Sequence, residues 1–341
     1  ASVWDGTRSN VGDLDGDGED DYTRIHTFWR ESAPLWSDQA RYAKHSIEFL
    51  SRSIAHPYPW PHMTSVEGED IIGGGMEFPM MTIIGPYTSR GAEALYSVTA
   101  HELAHMWFPM IVSTNERRYS WMDEGTTDFN THFSESDFYP GLYDNTNLFD
   151  GYLRIAGTDY EGEMMRWSDH HYFPFAFGIA SYSKPAAVLM ALKTVLGEEV
   201  FTRAYHAYME RWAYKHPYPW DLWNTFEDVS GQDLDWFWRS WYHETWVLDH
   251  AVAGVSDGPS GGVQVITIRD EGNVVMPVDV RITYADGRTE DRRISHEVWL
   301  EGGRTARLMV EGSSEIRRVE IDPDLGVPDA DRTNNTWTFR P

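Results

Sequence analysis

The spacing of apolar residues predicts that most of the chain before residue 248 is helical. Between residues 27 and 54 apolar side chains recur at roughly helical intervals, which favours one or two amphipathic helices that stop at Pro57 and Pro59. A further helix is predicted over residues 91–108, where Pro109 ends it. Glycine and proline breaks then separate four more predicted helices, at 184–196, 198–214, 220–229 and 234–243.

The pattern changes after about residue 248. There, stretches such as GVQVITIRDEG, PVDVRITYADG and ISHEVWLEGG alternate apolar with polar residues and are broken by glycine or aspartate. This alternation predicts a small antiparallel, Ig-like β-sandwich of roughly 90 residues. The predicted fold class is therefore α+β, with a mainly helical domain at 1–248 and a β-sandwich at 249–341.

The N-terminal 26 residues are predicted to form an acidic loop segment. Residues 9–21 are rich in glycine and aspartate and offer little apolar surface to bury. Asp13, Asp15, Asp17 and Gly18 resemble the start of a calcium loop, but the twelfth position is Arg24 where a bidentate glutamate is required. A solvated loop is the favoured interpretation, and calcium binding is the alternative.

Composition narrows the chemistry that the chain can perform. Hydrophobic residues make up 41% of it and aromatic residues 14%, which excludes a disordered chain. It has no cysteine, so thiol catalysis and thiolate-bound zinc are excluded, and any metal must be held by histidine and carboxylate. The formal net charge of −26 disfavours nucleic acids and anionic membranes as partners.

No apolar run approaches the roughly 18 residues that span a bilayer, so we expect a soluble chain without membrane insertion. The compartment is not determined, and a secreted or periplasmic location is compatible with the sequence.

The segment with the clearest chemistry is His101-Glu102-Leu103-Ala104-His105, an HExxH motif within a predicted helix. Histidines four residues apart lie on one helical face, where both rings can reach one zinc ion. Glu102 lies beside them, where it can take a proton from a metal-activated water. After a gap of eighteen residues, Glu124 can complete a two-histidine, one-glutamate ligand set. The alternative, a solvated surface acid, is disfavoured by this spacing.

With this motif and gap, the sequence resembles the gluzincin zinc aminopeptidases, typified by aminopeptidase N and the leukotriene hydrolases. Residues 74–78, Gly-Gly-Met-Glu-Phe, look like the family's substrate-binding GxMEN segment, with Phe78 where asparagine is usual. Residues 182–186, Tyr-Ser-Lys-Pro-Ala, resemble its YxKG segment, with Pro185 in place of glycine. The resemblance extends over roughly residues 22–341.

The resemblance implies a thermolysin-like catalytic domain followed by the family's β-sandwich, with one zinc ion per chain. It implies His101, His105 and Glu124 as metal ligands, Glu102 as general base and Tyr182 as a hydrogen-bond donor to the oxyanion. The family's large N-terminal β-domain has no counterpart in this numbering, and Thr131 stands where relatives commonly carry a second carboxylate. The hydrogen bonds around the metal are therefore expected to differ.

The substrate-binding candidates are Gly74, Gly75, Met76 and Glu77, within residues 71–84. Glycines and Pro79 in this β-branched stretch predict an edge strand whose backbone comes close to another group. The Glu77 carboxylate can pair with the α-ammonium of a peptide or can protect an exposed strand edge against aggregation. Tyr182 can likewise be a buried structural residue.

Three functions are compatible with these residues. The leading hypothesis is a zinc aminopeptidase acting on peptides. The second is a zinc metalloendopeptidase with the same metal but no amine pocket, and the third is a non-catalytic scaffold of the same fold. The intact set of His101, Glu102, His105, Glu124 and Tyr182 argues against the scaffold. Side-chain preference and oligomeric state are not readable from the sequence.

Overall fold

The computed structural model describes residues 2–14, 16–312 and 314–340 of the chain. Its first part is a five-stranded sheet with helices packed against it. The strands are β1 Val3–Gly12, β2 Asp21–Trp29, β3 His62–Glu67, β4 Gly75–Phe78 and β5 Met81–Ile84. Their order is β1-β2-β3-β5-β4, so β4 lies at one edge, where it pairs antiparallel with β5.

The prediction of an acidic loop over residues 1–26 is wrong for much of that segment. Strands β1 and β2 form an antiparallel hairpin, and Ser9 and Val11 are buried on its inner face. Pairing with β2 and packing against the next helix outweigh the polar composition. Within the turn, Asp13 accepts hydrogen bonds from the amides of Gly16 and Gly18, while Asp15 lies outside the described residues.

The first predicted helix begins later than its apolar spacing suggested. Residues 27–29 complete β2, where Thr27 is fully buried between β1 and β3, and a 3₁₀ turn at Pro34–Asp38 leads into α1, Gln39–Ser53. The apolar positions of β2 run on into those of α1, so a single helical spacing fits both. Pairing with the neighbouring strands makes residues 27–29 part of β2. The predicted edge strand at 71–84 is two strands, β4 and β5, joined by a turn at Pro79 and Met80.

The helices that follow the sheet are α2 Ala92–Ala104, α3 Thr126–Phe138, α4 Asn145–Leu153, α5 Pro174–Gly178, α6 Lys184–Leu196, α7 Glu198–Trp212, α8 Pro219–Ser230 and α9 Asp235–Trp238. The five helices predicted here are present with similar limits, although α2 ends before the predicted residue 108, and α3, α4 and α5 had no predicted range. After α2 the segment Met106–Ile111 is kinked, with non-helical backbone at Phe108 before Pro109. Helices α5 and α9 continue into π-helical turns, at Ile179–Ser183 and Arg239–His243, and a third π turn at Trp121–Gly125 leads into α3. Extra residues in such turns re-aim the side chains around them.

The continuous helical run Pro174–Leu196 has the length and apolar character of a membrane span. Its most apolar window is 72% buried inside the fold, as is typical of the core helix of a globular protein.

The last part of the chain forms two antiparallel sheets. The strands are β6 His250–Asp257, β7 Val263–Asp270, β8 Val278–Tyr284, β9 Thr289–Ile294, β10 Thr305–Glu311, β11 Ile316–Ile321 and β12 Thr336–Thr338. One sheet has the order β10-β7-β6 and the other β12-β11-β8-β9, and apolar residues from both form one core cluster. The architecture is thus mixed α+β, while the domain limits at 248 and 249 stay a prediction.

The segment ISHEVWLEGG was predicted as a strand and instead contains the short helix α10, Glu297–Leu300. The helical turn carries Trp299 into the sheet core, where its indole Nε1 donates to the Met276 carbonyl over 2.8 Å. A buried tryptophan needs a hydrogen-bond acceptor for its indole N–H, and the helical conformation gives Trp299 that acceptor.

Candidate active site

The two histidines of the HExxH motif are one helical turn apart, His101 in the last turn of α2 and His105 directly after its last residue with helical backbone angles, and their rings converge. Nε2 of His101 and Nε2 of His105 are 3.1 Å apart, with the ring planes nearly perpendicular. Both side chains are strongly protected from solvent, His105 almost completely. The two Nε2 atoms therefore face one common point beside the helix.

Glu124 reaches the same point from the π turn Trp121–Gly125. Its Oε2 lies 3.2 Å from Nε2 of His101 and 3.3 Å from Nε2 of His105, so the three atoms form a nearly equilateral triangle. Ligands at about 2.0–2.1 Å from a tetrahedral zinc ion are separated by about 3.3 Å, which matches this triangle. Among the described residues, none donates a hydrogen bond to the buried Glu124 Oε2, although an unsatisfied buried carboxylate oxygen is costly. The donor set therefore fits a zinc ion.

Each imidazole has one carboxylate beside its Nδ1 atom, on the edge of the ring away from the common point. Asp128 Oδ1 lies 2.9 Å from Nδ1 of His101, and Asp123 Oδ1 lies 2.8 Å from Nδ1 of His105. A proton held at Nδ1 leaves Nε2 free as a metal ligand, which is the usual outer arrangement at histidine metal sites. Burial by itself lowers the pKa of His101, but the adjacent carboxylates of Asp128 and Glu124 raise that pKa to about 10.

Sequence reasoning missed both aspartates. Asp128 follows Glu124 by four residues, one helical turn, and Asp123 immediately precedes it, so both were available as signals. Thr131, where the family resemblance expects a carboxylate, is buried and donates its hydroxyl to the Thr127 carbonyl instead. Thr131 therefore supplies no carboxylate at the site, and the expected difference from relatives stays a prediction.

Glu102 lies on α2 between the histidines and is only 3% exposed. Its Oε2 has no hydrogen-bond partner within the part of the chain that the structure describes, and burial raises the pKa of Glu102 to about 7 against the opposing influence of the two histidines. A carboxyl group with a pKa near neutrality can both accept and return a proton at physiological pH. Its environment suits a general base.

Strand β4 passes directly over Glu102. A Cβ built on Gly75 would come within 2.2 Å of Glu102 Oε1, whereas one built on Gly74 would meet open space. The Gly74 carbonyl instead accepts a hydrogen bond from the Gly85 amide, which holds the start of β4 against the chain after β5. Of these two predicted substrate-binding glycines, Gly75 is the one that the structure requires to lack a side chain.

The alternation of β4 separates its other residues. Glu77 is on the same face as Gly75, and its carboxylate lies within 4.8 Å of ligand atoms of His105 and Asp123. Burial raises the pKa of Glu77. Met76 and Phe78 are on the opposite face and are 36% and 42% exposed, so the replacement of the usual asparagine by Phe78 does not alter the face that carries Glu77.

Tyr182 completes the cluster from the π turn Ile179–Ser183. Its hydroxyl donates to Glu124 Oε1 over 2.6 Å, and its ring stacks on His101 with a centroid separation of 5.9 Å. Burial raises the pKa of Tyr182, so the phenol keeps its proton and stays a donor. The structure thus brings together His101, Glu102, His105, Glu124, Tyr182, Gly75 and Glu77, and it turns the Met76 side chain away.

Comparison with known proteins identifies the group to which this site belongs. The sequence profile of the peptidase family M1 domain matches residues 39–241, which is more than half of the chain. The chain belongs to peptidase family M1. The matched range contains the HExxH motif, Glu124 and Tyr182, and it confirms at family level the resemblance drawn from these motifs.

Individual M1 relatives match part of the chain at moderate identity. Aminopeptidase M1 of Arabidopsis thaliana is 28% identical over 228 residues, covering 60% of this chain and 25% of that protein. A probable aminopeptidase 1 of Sulfurisphaera tokodaii is 24% identical over 259 residues, covering 71% and 30%. The chain therefore spans about a quarter of the length of the curated relatives it matches.

A solved structure supports the fold over nearly the whole chain. Aminopeptidase A of Legionella pneumophila, solved in complex with aspartic acid, superposes with a TM-score of 0.72 over 96% of this chain and 38% of that one. At 15% identity the similarity concerns the fold alone.

Proposed function

We propose that the chain is a zinc-dependent aminopeptidase that hydrolyses the N-terminal bond of peptides. The observation that carries the proposal is the triangle of His101 Nε2, His105 Nε2 and Glu124 Oε2, with the buried Glu102 carboxylate beside it. Family membership and the names of the relatives support the same activity. The proposal includes a thermolysin-like domain at 1–248 and an Ig-like β-sandwich at 249–341.

The metal ligands, Glu102 and Tyr182 each have a separate role in the proposed reaction. A zinc ion held by His101, His105 and Glu124 would supply a Lewis acid that polarises the scissile carbonyl and acidifies water. Glu102 takes a proton from the attacking water as the new carbon–oxygen bond forms, and it returns that proton to the nitrogen as the carbon–nitrogen bond breaks. Tyr182 donates its hydroxyl hydrogen to the oxygen that becomes negative, a contact that strengthens as charge develops.

Glu77 supplies the preference for a free N-terminus. An α-amine titrates near 7.7–8.0, so a peptide carries an ammonium at neutral pH that needs an acidic partner once it is desolvated. Glu77 is partly buried and faces the site from the edge strand β4. The ammonium would pair with this carboxylate while the first peptide carbonyl lies next to Glu102.

The test is a panel of peptides with free and with N-acetylated termini, assayed with metal content measured on the same preparation. We expect one zinc ion per chain, cleavage of the free peptides one residue at a time, loss of activity with a zinc chelator, and recovery when zinc is returned. Internal cleavage of acetylated peptides at similar rates would support the endopeptidase instead. Activity that persists without any bound transition metal would refute the zinc proposal.

A further inference from the structure

The π turn that carries Tyr182 is followed at once by a buried charge. Lys184 is the first residue of α6, and its side chain is fully buried. Its Nζ donates to Glu161 Oε1 over 2.6 Å and to the Glu244 carbonyl over 3.3 Å, and it lies over the Tyr152 ring. Glu161 is buried as well, with 1% of its side chain exposed.

A buried ion pair contributes little net stability to a fold. Both charges lose their hydration, and an apolar pair of similar volume often stabilises a protein as well or better. What an ion pair adds is direction, because charge-assisted hydrogen bonds hold their partners at defined atoms. Lys184 therefore ties the start of α6 to two other segments, the loop around Glu161 and the chain after the π turn Arg239–His243.

The rest of the Tyr182 turn is held by close contacts. Ser181 Oγ is 2.6 Å from Ser120 Oγ, and both residues are buried. Ser181 directly precedes Tyr182 within its π turn, and Ser120 directly precedes the turn that carries Glu124. A Cβ on Gly125 would lie 2.3 Å from Pro185, so the residue that replaces the usual glycine packs directly against the Glu124 turn. Since a π turn lacks regular helical geometry, such contacts decide where its side chains point.

We propose that the buried Lys184–Glu161 pair is a positioning device for Tyr182, which holds its hydroxyl where it meets the developing oxyanion. Residues two apart on a helix point in different directions, so Lys184 anchors the turn in the core while Tyr182 faces the site. This inference rests on the proposed peptidase function. An error of about 1 Å in a group that acts in the transition state can cost about 10²-fold in rate.

The experiment combines Lys184→Met with Tyr182→Phe in a double-mutant cycle on the zinc-loaded enzyme. Lys184→Met should lower kcat by about 10- to 10²-fold and leave KM within about twofold, because Tyr182 acts on the transition state. In the Tyr182→Phe background, itself reduced by about 10²–10³-fold, Lys184→Met should cost nothing further. Zinc content should be unchanged throughout.

Lys193→Met is the matched control. Lys193 lies near the other end of α6 and pairs with Glu198 over 2.7 Å, away from Tyr182. It should leave kcat unchanged. If Lys184→Met does not fold, Glu161→Gln tests the same pair with an almost identical shape, and its smaller loss in kcat should also vanish in the Tyr182→Phe background.

The inference is overturned if Lys184→Met keeps the wild-type kcat, or if it costs the same factor in both backgrounds, which would mean general damage to the site. A crystal structure of each variant gives a readout that does not depend on turnover. The hydrogen bond from Tyr182 to Glu124 should be lost in Lys184→Met and kept in Lys193→Met. A wild-type enzyme that binds zinc but cleaves no peptide would refute the proposed function, whereas an unmoved Tyr182 in Lys184→Met would refute the positioning role.

Discussion

Gly75 and Glu102 are in such close contact that no side chain fits between them. A Cβ at Gly75 would approach Glu102 Oε1 to 2.2 Å, far inside van der Waals contact. The edge strand β4, proposed to bind the substrate, therefore lies directly against the carboxylate of Glu102, the proposed general base.

Gly75→Ala should displace Glu102 and lower kcat/KM by roughly 10²-fold, since catalytic groups tolerate little misplacement. Zinc content should be unchanged because the three ligand residues lie elsewhere. Gly73→Ala is the control, as a Cβ there has no heavy atom within 4 Å. Steady-state kinetics on a free dipeptide amide compares the two, and equal activities would show that Glu102 adapts without loss.

Glu102→Gln should keep zinc and lose turnover. The amide preserves the size of the side chain but cannot accept a proton, so kcat should fall by at least about 10²–10⁴-fold, the usual contribution of general acid–base catalysis. Metal analysis and kcat are measured on the same sample. Glu93→Gln, in the exposed first turn of the same helix, should be active. Zinc lost in parallel with activity would contradict the assigned role of Glu102.

Asp128→Asn should weaken zinc binding about 10- to 100-fold, the usual cost of removing an outer partner of a ligating histidine. The carboxylate lies 2.9 Å from Nδ1 of His101 and orients that ring. Competition with a chromogenic chelator measures the affinity. Asp137→Asn, on the exposed side of the same helix, should match the wild type, and an unchanged affinity in Asp128→Asn would remove Asp128 from the metal site.

Glu77→Ala should reduce kcat/KM for free peptides by at least roughly 10²-fold, because removing one partner of a buried charge pair typically costs about 3–5 kcal/mol. An N-acetylated peptide has no ammonium, so it should be a poor substrate for the wild type and insensitive to the substitution. Zinc content should stay constant. Similar wild-type rates on both peptide types, unaffected by Glu77→Ala, would favour the endopeptidase.

His250, at the start of β6, should make stability depend on pH. Burial, together with the smaller effect of the Arg304 charge, lowers the pKa of His250 from 6.5 to about 4. Between those values the unfolded chain binds a proton that the folded chain excludes, so this contribution to stability is complete above about pH 6.5 and is lost as the pH falls towards 4.

His250→Phe keeps a ring beside Trp299 and cannot take up the proton. On going from pH 7.5 to 4.5 the variant should gain about 2–3 kcal/mol in unfolding free energy relative to the wild type. Asp270 and Asp329, whose pKa values burial raises to about 6, act in the opposite direction in both proteins. Urea unfolding at the two pH values measures the difference, and a pH-independent difference would show that His250 does not titrate as proposed.

Features that depend on local periodicity and fixed spacing were predictable from the order of residues alone. The i, i+4 histidines lie on one face of α2 because helical geometry requires it, and α6 has the limits that its apolar spacing and Gly197 predict. The alternation after residue 248 correctly predicts antiparallel strands. Recognition of Glu124 needed the eighteen-residue gap and the family resemblance in addition.

Features that depend on partners distant along the chain become visible only in the folded structure. The β1–β2 hairpin is hidden in a polar sequence because pairing and packing bury Ser9 and Val11. The contact of Gly75 with Glu102 and the pairing of Lys184 with Glu161 join segments that no periodic pattern relates. Hydrophobic spacing indicates which side of a helix or strand faces the core. A directional contact between two polar groups depends instead on how separate elements pack together, and this packing is set by the whole fold.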